Sequence, residues 1–249
     1  MDAISAPSRI VLKRNYPIFL QPLSAFVLLC YCITGNCSTI QDYQNWFNLT
    51  ASGNFSKDSR SFSRFKYWLE GQERLGDDSS RRSQTLFRPG LGYDLTKHLS
   101  FWLGYAWIQT GAPFASSLFI ENRTWEQLLW KKEFKYLTFS SRTRMEQRFA
   151  KRNTNVGYRA RQQFKLVIPL RTHSKWSLVS SEELFWNKNN FNADGEGQGF
   201  DQNRVFVGLG YKITSKITSE IGYMDQYIRR IRSPYFNSNI LSINFYVSL

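Results

Sequence analysis

The chain's 249 residues, 42% hydrophobic and 16% aromatic, suit one large all-β domain, and a mean hydropathy of −0.43 excludes a bundle of transmembrane helices. A net charge of +14 suits nucleic acid, lipid phosphates or an anion-conducting lumen. All three cysteines (Cys30, Cys32, Cys37) lie in the first 37 residues, so removal of that segment excludes a disulfide framework, thiol catalysis and cysteine metal sites.

Residues 1–37 have the architecture of a signal peptide. Arg9, Lys13 and Arg14 form a basic start, Ile18 to Ile33 an apolar stretch broken by Gln21, Pro22 and Ser24, and Thr34 to Ser38 a small or polar close. The stretch is too short and too broken for a comfortable spanning helix, which predicts cleavage near Cys37–Ser38. The alternatives are a lipid-modified cysteine, although neither Cys32 nor Cys37 has a good lipobox before it, and an uncleaved anchor.

Eleven segments of alternating pattern follow, each about the length of a tilted strand crossing a bilayer. They run Asn45 to Phe55, Ser63 to Leu75, Ser83 to Leu95, Leu99 to Thr110, Leu118 to Trp130 and Phe134 to Phe149. The rest are Asn155 to Leu170, Lys175 to Asn187, Asn203 to Ile213, Ile217 to Tyr227 and Asn239 to Leu249. No window shows sustained helical periodicity with caps. Short connections (96–98, 131–133, 171–174, 214–216) alternate with longer ones (76–82, 111–117, 188–202, 228–238), the layout of an outer-membrane barrel. Single-chain bacterial barrels have even strand numbers. The count of eleven therefore implies either a first segment that is only a lead-in, leaving ten, or a missed strand, giving twelve, towards which this reading leans.

The faces sort by period two. Phe65, Tyr67 and Leu69 oppose Lys66, Glu70, Gln72 and Arg74; Val205, Val207, Leu209 and Tyr211 oppose Arg204, Gly208, Gly210 and Lys212. The central strands carry the densest charge: Arg142, Arg144, Glu146 and Arg148 on one face, then Arg159, Arg161 and Lys165. A soluble sandwich would turn such a row to bulk water; a transmembrane barrel turns it to the lumen, because Arg or Lys at mid-depth on the lipid face costs about 2–4 kcal/mol each. The expected fold is an all-β, antiparallel, up-and-down transmembrane barrel of ten to twelve strands over residues 38–249. A soluble periplasmic β-protein is the alternative.

Several stretches resemble a known bacterial family: Gln41-Asp42-Tyr43-Gln44-Asn45-Trp46, Arg88-Pro89-Gly90-Leu91-Gly92-Tyr93, Glu121 to Gln127, Arg142-x-Arg144-x-Glu146-x-Arg148 and Tyr158-Arg159-x-Arg161. The family is the uncharacterised secreted one labelled domain of unknown function 2490. The resemblance covers most of the chain after residue 40, with the arginine string its most specific part. It implies an outer-membrane, barrel-like protein of Gram-negative bacteria, and it carries over no catalytic residue.

The candidate site is therefore the lumenal cluster Arg142, Arg144, Glu146, Arg148, Arg159, Arg161 and Lys165, with Glu121, Arg123, Glu182, Glu70 and Arg74 as possible additions. Charges in a dry lumen must interlock as Arg–Glu pairs or line water, so the cluster is either a salt-bridged plug or an anion-favouring path. Loop cations Arg81, Arg82, Lys151, Arg152, Arg229, Arg230 and Arg232 are candidates to meet lipopolysaccharide phosphates, or are simply solvated. His98 and His173 sit in expected turns, away from any Ser or Asp partner, so a lipid-modifying enzyme (acyl hydrolase or transferase) is the weaker class. Residues 192–201 hold oxygen side chains among glycines but lack EF-hand spacing. No metal and no cofactor is expected. The expected partners are outer-membrane lipid, lipopolysaccharide and the barrel-assembly machinery during insertion, with nucleic acid disfavoured. Trp46, Trp102, Trp107, Trp125, Trp130, Trp176 and Trp186 suit interface belts, or core packing for some.

Overall fold

The computed structural model describes residues 39–56, 62–151, 155–191, 196–231 and 234–249. The described residues form eleven strands and no helix: β1 (Thr39–Asn54), β2 (Phe65–Gly76), β3 (Arg81–Asp94), β4 (Leu99–Thr110), β5 (Phe119–Glu133), β6 (Thr138–Ala150), β7 (Gly157–Pro169), β8 (Trp176–Asn187), β9 (Gly199–Lys212), β10 (Ile217–Ile228) and β11 (Tyr235–Ser248). Each pairs with its sequence neighbours, and β1 closes on β11, so the sheet has no edge. The signal-peptide reading of residues 1–37 lies outside the described residues.

Eleven strands fall within the expected ten to twelve; the lean towards twelve is corrected, and the first segment is a full strand of the barrel rather than a lead-in. β1 is the longest strand, 16 residues, paired from Thr39 to Ser52 with β11. Eleven antiparallel steps cannot close on themselves, because an odd count leaves first and last strands running the same way. The β1–β11 seam is accordingly parallel, with Trp46 level with Ser242. Stepping through paired residues from Phe65 around the sheet leads to Gln41, a level beyond the last residue of β2, and such stagger accompanies a strand tilt of about 35–45°.

One end of the barrel carries the tight connections 95–98, 134–137, 170–175 and 213–216, together with the longer 55–64; it is called the turn end. The loop end carries 77–80, 111–118, 151–156, 188–198 and 229–234. The expected loop 76–82 contracts to a four-residue turn because β2 and β3 run further than the pattern suggested. Asp77, Asp78 and Ser79 take positive φ there, and the Asp78 N–H is held by the Asp42 carboxylate at 2.9 Å.

Polarity is inverted relative to a soluble protein. Outside, Leu49, Leu91, Leu103, Val207, Ile221 and Phe245 are exposed, while inside, Arg144, Glu146, Gln44 and Gln127 are fully buried. Trp130, Phe139, Trp176 and Tyr211 ring the outer wall at the turn end, where Trp130 packs on Phe139 and Trp176 on Tyr211. Tyr43, Trp107, Tyr158, Trp186 and Tyr227 ring the loop end. Trp46, Trp102 and Trp125 do not join these belts; they point inward and are almost wholly buried. Room for two of them comes from glycine: a Cβ at Gly90 or Gly104 would strike the Trp125 indole, and one at Gly92 would strike Trp102.

Candidate functional site: the charged lumen

Because side chains alternate, Arg142, Arg144, Glu146 and Arg148 enter the lumen from β6, and Arg159, Arg161 and Lys165 enter beside them from β7. The register sets Arg144 opposite Arg161 and Glu146 opposite Arg159, so charges of both signs meet on adjacent strands. Glu146 is the hub. Its Oε2 accepts from Arg159 at 2.8 Å and lies 3.5 Å from Arg123, and its Oε1 accepts from Arg161 at 2.7 Å. Arginine's planar fork permits this sharing of two oxygens among three cations.

Further carboxylates extend the network across the barrel. Glu183 accepts from Arg161 at 2.7 Å and from Arg142 at 2.7 Å. Glu121 takes Arg148 at 2.7 Å, and Glu70 takes Arg88 at 2.7 Å. Arg159 also reaches Asp201 at 3.2 Å, and Lys165 bridges from β7 to Glu220 on β10 at 2.7 Å. Arg148 finally pairs with Glu196 of the β8–β9 connection, tying that loop to the lumen. The Glu196 carboxyl would rise on burial, but the Arg148 guanidinium outweighs that effect and holds it below the usual glutamate range.

All seven residues of the sequence-derived cluster thus point inward, with Glu121, Arg123, Glu70 and Arg74. Glu182 does not: it faces outward, where Asn203 donates to it at 3.3 Å, and its neighbour Glu183 takes the lumenal place. Two adjacent glutamates on one strand carry no alternation signal to choose between them. Arg88, Glu183, Glu196, Asp201, Arg204 and Glu220 join the lumen beyond the cluster. The signal for Arg204 and Glu220 was their place on a polar row, whereas Glu196 comes from a loop, where period two says nothing.

The loop cations scatter. Arg81 pairs with Asp77 at 2.7 Å and Arg82 with Glu73 at 2.5 Å, both exposed. Lys151 and Arg229 are exposed. Arg230 instead turns over the Phe236 ring, 5.2 Å from its centroid, and borders the lumen. Arg152 and Arg232 lie outside the described residues, as do 192–195 of the candidate calcium loop, whose Glu196 and Asp201 are occupied by arginines. His98 sits in the β3–β4 turn with its ring 6.4 Å from Trp130, and His173 in the β7–β8 turn at φ 62°.

The lumen encloses a cavity of about 950 Å³. Towards the turn end its wall is Ser52, Thr138, Ser140, Ser177, Thr218 and Ser248 with Lys131, Lys175 and Lys212; towards the loop end it meets the arginine network. At the loop end, described side chains pack inward: Phe114 lies tilted against Phe236 with ring centroids 5.3 Å apart, Pro113 lies against Gly76, and Phe191 is buried beside Gly157 and the Arg148 guanidinium.

A polar patch interrupts the outer wall from β5 to β9. Thr124 donates to Gln147 at 2.6 Å, Gln147 to Glu126 at 3.0 Å, Thr143 to Gln162 at 2.6 Å and Gln162 to Ser141 at 2.9 Å. The outward Glu182–Asn203 pair continues it.

Comparison with known proteins agrees with the arginine-string resemblance. An uncharacterized protein of Methylorubrum extorquens is 34% identical over 226 residues, covering 88% of this chain and 94% of that protein. No solved structure matches the chain. The family described as "Protein of unknown function (DUF2490)" matches residues 43–237, from within β1 into β11. The chain belongs to that family.

Proposed function

We propose that this is an exported, non-enzymatic barrel of a Gram-negative outer membrane, whose lumen is braced by Arg–Glu pairs rather than held open as a wide pore. The observation that carries the reading is the inverted polarity: large apolar side chains cover the outside while more than a dozen charged ones are buried inside. In water that wall, outside the polar patch on β5 to β9, would be an apolar surface far larger than monomers expose. In a bilayer it is the required lipid face, with aromatic rings at both margins. On this reading the leader at residues 1–37 is cleaved, the barrel-assembly machinery inserts the chain, and loop-end Arg81 and Arg82 contact lipopolysaccharide phosphates.

The lumenal network favours a structural or narrow-path role over free diffusion, because the bridges from Glu146, Glu183 and Glu220 narrow the bore. The cavity, which is lined from the turn end to the loop end, favours one refinement, a narrow path for small solutes. Fractionation of expressing cells tests the location. The expected result is recovery in the outer-membrane fraction, with a folded band on unheated gels that shifts on boiling; recovery in the soluble periplasm overturns it. In a planar bilayer the purified protein is expected to show no sustained large conductance, and steady porin-sized steps would contradict a braced lumen.

A further inference from the structure

The lumenal charge does not balance. Thirteen Lys and Arg line the cavity against seven Asp and Glu; with the exposed Lys131, Lys175, Lys212 and Glu133 set aside, ten cations still face six carboxylates, although a buried cation without a counter-charge is among the costliest arrangements a protein can hold. Arg144, held by Gln127, does not line the cavity; part of the surplus that does has an address. Arg74 on β2 is almost wholly buried, yet among the described residues no carboxylate lies within ion-pair distance of it. Its Nη1 donates to Gln84 and its Nη2 to Gln72, both at 2.6 Å and both neutral, and its Nε–H has no acceptor.

Arg204 on β9 is the second member. It reaches Glu183 only at 3.8 Å, and that carboxylate is already held by Arg161 and Arg142. Its closer acceptor is the neutral Gln226 amide, whose oxygen sits 3.1 Å from Nε and Nη2 when the amide is turned towards it. Arg74 and Arg204 share one aromatic support: their guanidinium carbons lie 3.7 and 4.9 Å from the centre of the Trp46 ring. Both border the cavity, as do Gln72, Gln84 and Gln226. Most other lumenal arginines that border it have a carboxylate within 3.3 Å; this pair has glutamines.

We infer that Arg74 and Arg204, set around Trp46 and flanked by Gln72, Gln84 and Gln226, form a binding site for a small free oxyanion of the phosphate class. Guanidinium forks present paired N–H groups that suit a tetrahedral oxyanion and are wasted on a spherical halide. Neutral glutamines orient the forks without consuming their charge, the arrangement a ligand site needs and a structural ion pair does not. The closed wall of the barrel favours a free anion arriving along the bore over a lipid headgroup. The inference depends on the lumen alone and stands whether or not the barrel resides in a membrane.

The test is calorimetric titration with inorganic phosphate, at ionic strength held constant with chloride, of the protein produced with its own leader and purified in detergent. Saturable phosphate binding is expected, weakened about tenfold or more in both Arg74→Gln and Arg204→Gln, since each removes charge-assisted hydrogen bonds. Lys188→Gln, on the exposed loop end outside the lumen, should bind as the wild type does. Arg204→Lys keeps the charge and loses the fork, and should fall between. If Arg74→Gln does not fold, the Arg204 pair decides alone. Absence of saturable binding in the wild type overturns the inference. So does unchanged binding in the folded Arg74→Gln and Arg204→Gln variants, or binding abolished by Lys188→Gln, which would place the anion on the outer surface.

Discussion

Replacing Glu146 with Gln is the sharpest test of the lumenal network. The side chain is 1% exposed and touches three guanidiniums: Arg159 at 2.8 Å, Arg161 at 2.7 Å and Arg123 at 3.5 Å. The amide keeps one acceptor oxygen but turns an N–H₂ group towards arginine donors, and three cations lose their common counter-charge. Breaking a buried pair by neutralising one partner costs about 3–5 kcal/mol, because the remaining charge stays buried. Arg161 and Arg159 retain Glu183 and Asp201, which argues for the lower half of that range. For a domain of this size a 3 kcal/mol loss lowers Tm by about 6–12 °C. The assay is thermal or urea unfolding followed by circular dichroism and by gel shift, with Glu126→Gln on the outer wall as the control. A loss below about 1 kcal/mol would refute the reasoning: water rather than carboxylates would then be neutralising these arginines.

Gly104→Ala places a Cβ in the Trp125 indole and against the Pro89 carbonyl, so unfolding should show about 1–3 kcal/mol of overpacking, only partly relieved by the second change Trp125→Phe because the carbonyl contact stays; a neutral single variant would mean that both the indole and the β3 backbone give way. Glu182→Leu on the outer wall should leave stability in detergent unchanged or raise it by about 1 kcal/mol, since a carboxylate facing lipid is unfavourable; loss of solubility in detergent-free buffer, with the wild type soluble there, would support the soluble barrel instead. Glu196 gives a pH signature at the loop end. Its folded value is lowered, so its stabilisation is complete above the ordinary glutamate value of about 4.3 and drains away as pH falls from there through the lowered value. Glu196→Gln should flatten that part of the stability–pH curve, and an unchanged acid limb would dissociate the loop from Arg148.

Strand existence and facing were legible because both rest on period two, which the sequence displays residue by residue. Leu99–Thr110 is matched to the residue, and the charged rows of β6, β7 and β9 fall inside as their alternation requires. What period two cannot carry was missed. It does not choose between Glu182 and Glu183, and it does not say that Glu196 returns from a loop to Arg148. It does not separate an inward tryptophan from a belt tryptophan, since Trp46, Trp102 and Trp125 owe their place to which neighbours are glycine or arginine. Nor is the Arg74–Arg204 site written in either strand. The two residues lie 130 positions apart and meet only because closure brings β1, with Trp46, between β2 and the far side of the barrel.

The odd strand number ties these observations together. An even barrel is built by repeating one antiparallel step, and its first and last strands are neighbours of the ordinary kind. Here the seam must be parallel, with evenly spaced, slanted hydrogen bonds that stabilise slightly less per residue. The chain answers with length: fourteen residue pairs, from Thr39–Tyr235 to Ser52–Ser248, make this one of the longest pairings in the sheet. Inward side chains add to it, since Gln44 on β1 donates to Ser238 on β11 at 3.1 Å while its oxygen accepts from Trp46 at 2.7 Å. That second bond fixes the Trp46 ring, on which Arg74 and Arg204 both rest. The seam that closes the barrel is thus also the support of Arg74 and Arg204, and a disturbance at Gln44 should reach the lumen before it reaches the outer wall.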